Sequence, residues 1–135
     1  MSEMTSITYD QNPFYRALDK ALREVQGINT ISLTDRHGDQ IAVAHSVKSA
    51  HPTSPEELGL IQVYGQLTFQ RSKVTPTEMS ASRGHRHWFS RRLDVDGDRY
   101  DLWVIWSTLD GKLSEAEVSL AVRWLETSLR PLLRG

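Results

Sequence analysis

Two strand-like segments on either side of Asp96-Gly97 constrain the fold of this chain more than any other feature. The segments HRHWFSRRLDV and DRYDLWVIWS are rich in aromatic and β-branched residues, and Asp-Gly between such runs is typical of a two-residue β-hairpin. A turn of this length fixes the register, so residues equidistant from it face each other. We therefore expect Arg92 opposite Asp101 and Trp88 opposite Ile105 in a long antiparallel hairpin.

The first hairpin strand overlaps the most basic stretch of the chain, SRGHRHWFSRR at residues 82–92. It suggests a nucleic-acid groove, a metal site or the solvated edge of a sheet. The register assigns part of its charge to ordinary pairing across the sheet. The remaining arginines, Arg83, Arg86 and Arg91, are predicted to form a basic rim. This rim would either steer an acidic partner or keep an edge strand soluble.

The charge balance argues against nucleic acid as a partner. The chain has 16 Lys+Arg and 17 Asp+Glu, whereas nucleic-acid-binding domains usually carry a basic excess. A metal site is also not expected: His85 and His87 supply two ligands, but zinc needs a third or fourth, and the nearest candidates, His45 and His51, belong to other predicted elements.

The first third of the chain predicts a helix, a strand, a tight turn and a second strand. The helix begins after Asn12, an N-cap followed by proline, and ends at Gly27. The strand INTISLTD follows, and then a turn in which Gly38 can adopt positive φ. The next strand, QIAVAH, is predicted to place Ile41 and Val43 on one face.

A second helix is predicted from Ser54, an N-cap with Glu57 three residues on. Its apolar residues spread wider than a single core-facing stripe requires. Either the helix is buried on most sides, or one side faces the core and the other a partner. In the second case we expect the interface to include Leu60, Val63, Tyr64 and Leu67. Gly65 would then allow the partner's backbone to approach closely.

The rest of the chain completes an α+β fold. Residues 71–84 are polar, and TEMSAS within them predicts a short edge strand. Ser114 and Glu117 form a capping box, and Leu113 with Val118 a hydrophobic staple, at the start of a last helix. We predict a single central, mostly antiparallel sheet flanked by three helices, in the order α-β-β-α-(β)-β-β-α. Residues 1–11 are expected to be disordered and residues 12–135 to form one domain.

No sequence motif in the chain indicates catalysis. There is no cysteine, no GxSxG elbow, no phosphate-binding GxxxxGK[ST] loop and no GxGxxG loop. We expect no catalytic residue, no cofactor and no metal. The N-terminus lacks the pattern of a signal peptide, and no apolar run approaches the length of a membrane span. The expected location is therefore cytoplasmic.

The segment PFYRALDKALREVQGINTISLTDRHGDQIAVA resembles the roadblock/dynein light-chain family. The family opens with an amphipathic helix ending in a V-x-G step, here Val25-Gln26-Gly27, and continues with a strand and a D-x-x-G turn, here Asp35 to Gly38. LIQVYGQLTFQRSKV is similar to its second helix, with a Ser-Lys-Val exit at residues 72–74 like that of the Ragulator scaffold subunits. The resemblance covers most of residues 12–133. Residues 71–86 depart from the family pattern in their arginine and histidine content.

This resemblance implies a roadblock/profilin-like fold and a non-enzymatic dimerisation module. In the family, two second helices and two third strands meet across a twofold axis. Such dimers, with an identical or a related chain, scaffold or regulate small Ras-like GTPases or attach cargo to motor complexes. The alternative interpretation is a GAF/PAS-like sensor domain, which would hold a small ligand among Trp103, Trp106 and Tyr64.

Overall fold

The computed structural model describes residues 12–71 and 77–135. The expected disorder of residues 1–11 and the Ser-Lys-Val exit at residues 72–74 lie outside this range. The elements follow the predicted order: α1 (Pro13–Glu24), β1 (Ile28–Asp35), β2 (Gln40–His45), α2 (Pro55–Arg71), β3 (Glu78–Arg83), β4 (Arg86–Val95), β5 (Asp98–Ser107), a 3-10 turn (Thr108–Asp110) and α3 (Glu115–Leu133).

The five strands form one antiparallel sheet in the order β2-β1-β5-β4-β3. Helices α1 and α3 cover one face, where their apolar residues pack on the large buried cluster that includes Leu33, Phe89, Val104 and Trp106. Helix α2 covers the other face, where Leu58 and Ile61 pack on Trp103 and Ile105. The predicted α+β class is confirmed, with β2 and β3 as the two edge strands.

The hairpin has the register that the sequence predicts. Arg92 pairs with Asp101 and Trp88 with Ile105. Asp96 and Gly97 both have positive φ, at 53° and 86°, which is the geometry of a type I′ turn. The strand predicted at TEMSAS is also present as β3, which pairs with β4 along its whole length.

The predicted helix starts are confirmed by their side-chain contacts. Asn12 accepts hydrogen bonds from the backbone N–H groups of Phe14 and Tyr15. Ser54 accepts one from Glu57 at 3.1 Å, and Ser114 forms a capping box with Glu117. These caps satisfy N–H groups that the first turn of a helix leaves without partners.

One prediction about β2 is wrong. Ile41 packs on the cluster beneath α1 and α3, whereas Val43 packs on the cluster beneath α2. The cause is a shift in the β1–β2 register between Leu33 and Thr34, because an extra residue in one strand reverses the alternation of side chains. Within the described ranges, none of the helices has the length and apolar character needed to cross a membrane.

Candidate interaction site

Helix α2 has one face against the sheet and one face in solvent. Leu58, Ile61, Gly65 and Phe69 are buried. Leu60, Val63, Tyr64 and Leu67 are exposed by 62%, 58%, 58% and 41%; we call these four residues the α2 stripe. Helix α2 is therefore not buried on most sides, and its second apolar face lies in solvent. A partner on that face stays a prediction.

Gly65 has a different role from the one expected. It is buried on the sheet side of α2, and a Cβ at this position would lie well inside van der Waals contact with Cη2 and Cζ3 of Trp103. The close approach is therefore to a tryptophan of the same chain. The expectation that Gly65 admits a partner's backbone is wrong, because this residue does not face outward.

A buried polar cluster fixes the C-terminal half of α2 on the sheet. Arg92 donates from Nε to Asp101 at 3.0 Å, and Gln66 donates to the other carboxylate oxygen of Asp101 at 2.6 Å. The guanidinium of Arg92 also lies 3.9 Å from the centre of the Phe69 ring. Since the Asp101 side chain is fully buried, these contacts compensate its desolvation.

A second cluster fixes the N-terminal end of α2. Arg86 donates to both carboxylate oxygens of Glu57, at 2.9 and 3.3 Å, and to the backbone oxygens of His51 and Pro52. The arginine thus joins β4 to both the first turn of α2 and the loop before it. Helix α2 is held at both ends, and its stripe is presented to solvent in a defined orientation.

The edge strand β3 lies beside α2 and has one side without a neighbouring strand. The backbone N–H of Arg92 donates to the oxygen of Thr77, so every second residue of β3 bonds to β4 in this register. The backbone groups of the alternate residues, Glu78, Ser80 and Ser82, therefore point away from β4. They form an edge that another strand can extend.

Between α2 and β3 lies a cleft of about 330 Å³, which the sequence did not predict. Its walls are mostly apolar and include Trp88, Trp103 and Met79, with Tyr64 at its side. Ser90 also lines the cleft; it is only 1% exposed, and its hydroxyl has no hydrogen-bond partner among the described residues. Buried hydroxyls are normally bonded, so this one can bond to a polar group that enters the cleft.

The basic rim is not the free charge that the sequence predicted. Arg86 is bound to the α2 region, and Arg91 forms ion pairs with Glu78 at 2.6 Å and Glu126 at 2.5 Å. Burial opposes the charge of both Arg91 and Glu126, but their mutual hydrogen bond and attraction lower the pKa of Glu126 and raise that of Arg91. Arg83 is the one rim arginine without an ion pair in the described part of the chain.

The two histidines of the basic stretch do not form a pair of ligands. His85 lies in the β3–β4 turn with Nδ1 2.9 Å from the hydroxyl of Thr108, whereas His87 stacks on Trp106 with ring centres 5.5 Å apart. Across residues 12–71 and 77–135, no group of three or more His, Cys, Asp or Glu side chains is arranged to hold a metal ion.

The pocket expected for a sensor domain is not assembled from the expected residues. Trp103 belongs to the cluster beneath α2, whereas Trp106 belongs to the cluster beneath α1 and α3. The two indoles therefore lie on opposite faces of the sheet, and only Trp103 shares the cleft with Tyr64.

The carboxylate of Asp110 organises the loop that precedes α2. It accepts hydrogen bonds from Asn29 at 2.6 Å and Ser49 at 2.9 Å, and it contacts His51 Nδ1 at 2.9 Å. Burial opposes its charge, but these bonds outweigh burial and lower the pKa of Asp110 to about 2. The Ser49 hydroxyl and the His51 ring both bind Asp110, and the hydroxyl bonds to His51 only through the backbone N–H of that residue. The serine and the imidazole are therefore not arranged as the relay of a serine hydrolase.

Solved structures share this arrangement of helices and strands. No protein-family model matches the sequence, and comparison with curated proteins finds no match. The gliding protein MglB from Thermus thermophilus has a TM-score of 0.70 and 14% identity, over 97% of this chain and 96% of that one. The roadblock/LC7 domain from Streptomyces avermitilis has a TM-score of 0.63 and 14% identity, over 89% and 97%.

A further similar structure is an MglB with a tetrameric arrangement, at a TM-score of 0.65 and 17% identity, over 96% of each chain. At these identities the similarity concerns the fold. The chain has the roadblock fold, as the resemblance of its sequence implied.

Proposed function

We propose that the chain is a non-catalytic dimerisation module of the roadblock type that anchors or regulates a small Ras-like GTPase or a related signalling complex. The observation that carries the proposal is the exposed α2 stripe beside the free edge of β3. An apolar surface of this kind is typical of an interface.

The α2 stripe is complementary to itself. Its midpoint falls between Val63 and Tyr64, so a twofold axis there sets two α2 helices antiparallel, with Leu60 facing Leu67 of the second copy. The same operation brings Glu56 at one end of α2 opposite Arg71 at the other, and both are exposed. Apolar contacts at the centre with opposite charges at both ends suit a symmetric dimer.

The edge of β3 adds a second contact to the same dimer. Its outward backbone groups can pair with the β3 of another copy, which would join two five-stranded sheets into one. Together the helix and strand contacts would bury roughly 800 Å² per chain, the usual size of a stable interface. A related roadblock chain with a matching stripe would serve equally well as the partner.

The GTPase part of the proposal has different support. It rests on the family resemblance of the sequence and on the fold shared with the MglB and roadblock/LC7 structures. The cytoplasmic location that such a partner requires is part of the same proposal.

Sedimentation velocity at micromolar concentrations tests the dimer. We expect the wild type to sediment as a dimer and Tyr64→Asp as a folded monomer, because an unpaired charge in the interface opposes association. Val47→Asp is the matched control, since Val47 is an exposed apolar residue in a loop away from the stripe. A monomeric wild type without a co-purifying partner, or a dimeric Tyr64→Asp, would contradict the proposal.

Proline substitution tests the strand contact separately. Ser80→Pro removes an N–H that points away from β4, a position where edge strands tolerate proline, so we expect the chain to fold but to dimerise poorly. Ser80→Ala keeps the N–H and should dimerise normally.

For the GTPase, affinity capture with the wild type in GDP and in a non-hydrolysable GTP analogue should recover a Ras-like GTPase in one of the two nucleotide states. Recovery of no GTPase in either nucleotide state would contradict the GTPase part of the proposal.

A further inference from the structure

We propose that the cleft between α2 and β3 is a socket for Tyr64 of a second copy, whose phenol hydroxyl bonds to Ser90. The inference rests on the proposed dimer and goes beyond it, since it names the side chain that enters the cleft and the polar atom that receives it. Its support comes from the floor of the cleft, its walls and its occupant.

The floor of the cleft carries one buried hydroxyl, that of Ser90. Ser90 lies on β4 between Met79 of β3 and Trp103 of β5. Its Oγ is buried and without a partner among the described residues. Leaving a buried hydroxyl unbonded is unfavourable, and the cleft provides the space from which a donor or acceptor can reach it.

The walls select a flat apolar group. The rings of Trp88 and Trp103 line the cleft, and above them α2 contributes Gly65, which has no side chain. The fitting occupant has an aromatic body and one polar atom at its far end. A phenol meets both requirements, because tyrosine combines a large apolar ring with a hydroxyl that seeks a partner when buried.

The symmetry of the dimer brings the phenol to the cleft. Tyr64 is next to the midpoint of the α2 stripe, so a twofold axis there places the two Tyr64 residues close to each other. Each also lines its own cleft. Tyr64 is 58% exposed, and its hydroxyl has no hydrogen bond within residues 12–71 and 77–135. In the symmetric dimer, the Tyr64 hydroxyl of each copy would therefore bond to the Ser90 hydroxyl of the other, which gives two identical hydrogen bonds.

The test compares dimer dissociation constants for the wild type, Tyr64→Phe, Ser90→Ala and the double variant. We expect each single change to weaken the dimer by roughly tenfold, since each removes two symmetric hydrogen bonds. The double variant should be no weaker than either single one, because the two hydroxyls act as a unit. Ser128→Ala, which removes an exposed hydroxyl on α3 away from α2 and β3, is the control and should behave as wild type.

The outcomes separate the socket from the dimer. A wild type that stays monomeric overturns both. A stable dimer in which Tyr64→Phe and Ser90→Ala match Ser128→Ala overturns the socket alone, as does a double variant whose losses simply add. Circular dichroism and urea unfolding of each variant confirm that the fold is intact before the constants are compared.

Discussion

The indole ring of Trp103 occupies the space that a Cβ on Gly65 would need, so α2 meets the sheet most closely at a residue without a side chain. Gly65→Ala therefore forces the helix or the ring to move. Overpacking of this kind costs about 1–3 kcal/mol, partly offset by about 1 kcal/mol of helix propensity. We expect a lower free energy of unfolding, measured by urea titration at a fixed protein concentration.

Gly59 is the matched control for this prediction. It lies in the same helix, and a Cβ there would meet nothing within 4 Å. Gly59→Ala should keep or raise the stability, by up to about 1 kcal/mol. If both variants are stabilised alike, the contact between Gly65 and Trp103 does not limit the packing of α2.

The buried ion pair of Arg92 and Asp101 is expected to be essential for stability. Asp101→Ala leaves the Arg92 guanidinium, whose side chain is only 9% exposed, without its carboxylate. Removing one partner of such a pair typically costs about 3–5 kcal/mol. Asp94→Ala, at an exposed position of β4, should change stability by less than about 0.5 kcal/mol. Similar losses in thermal or urea unfolding of the two variants would contradict this account.

The Asp110 network predicts a loss of stability in acid. The pKa of Asp110 is lowered from 3.8 to about 2 in the folded chain, so the unfolded chain binds this proton first as the pH falls. The stabilisation that Asp110 provides is complete above its pKa in the unfolded chain and is lost as pH falls through its pKa in the folded chain. Asp110→Asn should lower stability at neutral pH and flatten its decline between about pH 4 and pH 2.

Urea midpoints measured across that range test the prediction. A residual slope is expected in Asp110→Asn because the pKa of Glu126 is also lowered in the folded chain. An unchanged slope in the variant would show that Asp110 does not carry the effect.

Local patterns in the sequence predicted most of the fold. The hairpin register follows from Asp96-Gly97 alone, because a two-residue turn determines which residues face each other. The helix caps at Asn12, Ser54 and Ser114 are equally local, since each side chain bonds to the next few residues. The apolar spread of α2 left two interpretations open, and the four residues named for an outer face, Leu60, Val63, Tyr64 and Leu67, are the exposed ones.

The wrong predictions concern contacts between distant elements. Arg91 was expected to be free because Glu126 lies on α3, far along the chain, and no local pattern joins them. Gly65 was assigned to a partner because its neighbour Trp103 is on β5. The cleft around Ser90 depends on the spacing of α2 and β3, which no short sequence window contains.

The charges at the ends of α2 provide a test of the antiparallel arrangement. Glu56→Arg would place two arginines opposite each other at both ends, and Arg71→Glu would do the same with carboxylates. Each single change should weaken the dimer several-fold, since exposed pairs contribute about 0.2–1 kcal/mol each. The double exchange should restore the wild-type affinity, and a double variant weaker than both single ones would exclude this pairing.

Disulfide cross-linking between single introduced cysteines tests the central claim most directly, because the chain contains no cysteine of its own. Val63→Cys lies next to the proposed axis, and Leu120→Cys on α3 is the control, with parent residues 58% and 69% exposed. A disulfide requires Cα atoms within about 7 Å. We expect mild oxidation to convert Val63→Cys rapidly to a covalent dimer and Leu120→Cys slowly or not at all. Equal rates for the two variants, or faster cross-linking through Leu120→Cys, would contradict a dimer built on the α2 stripe.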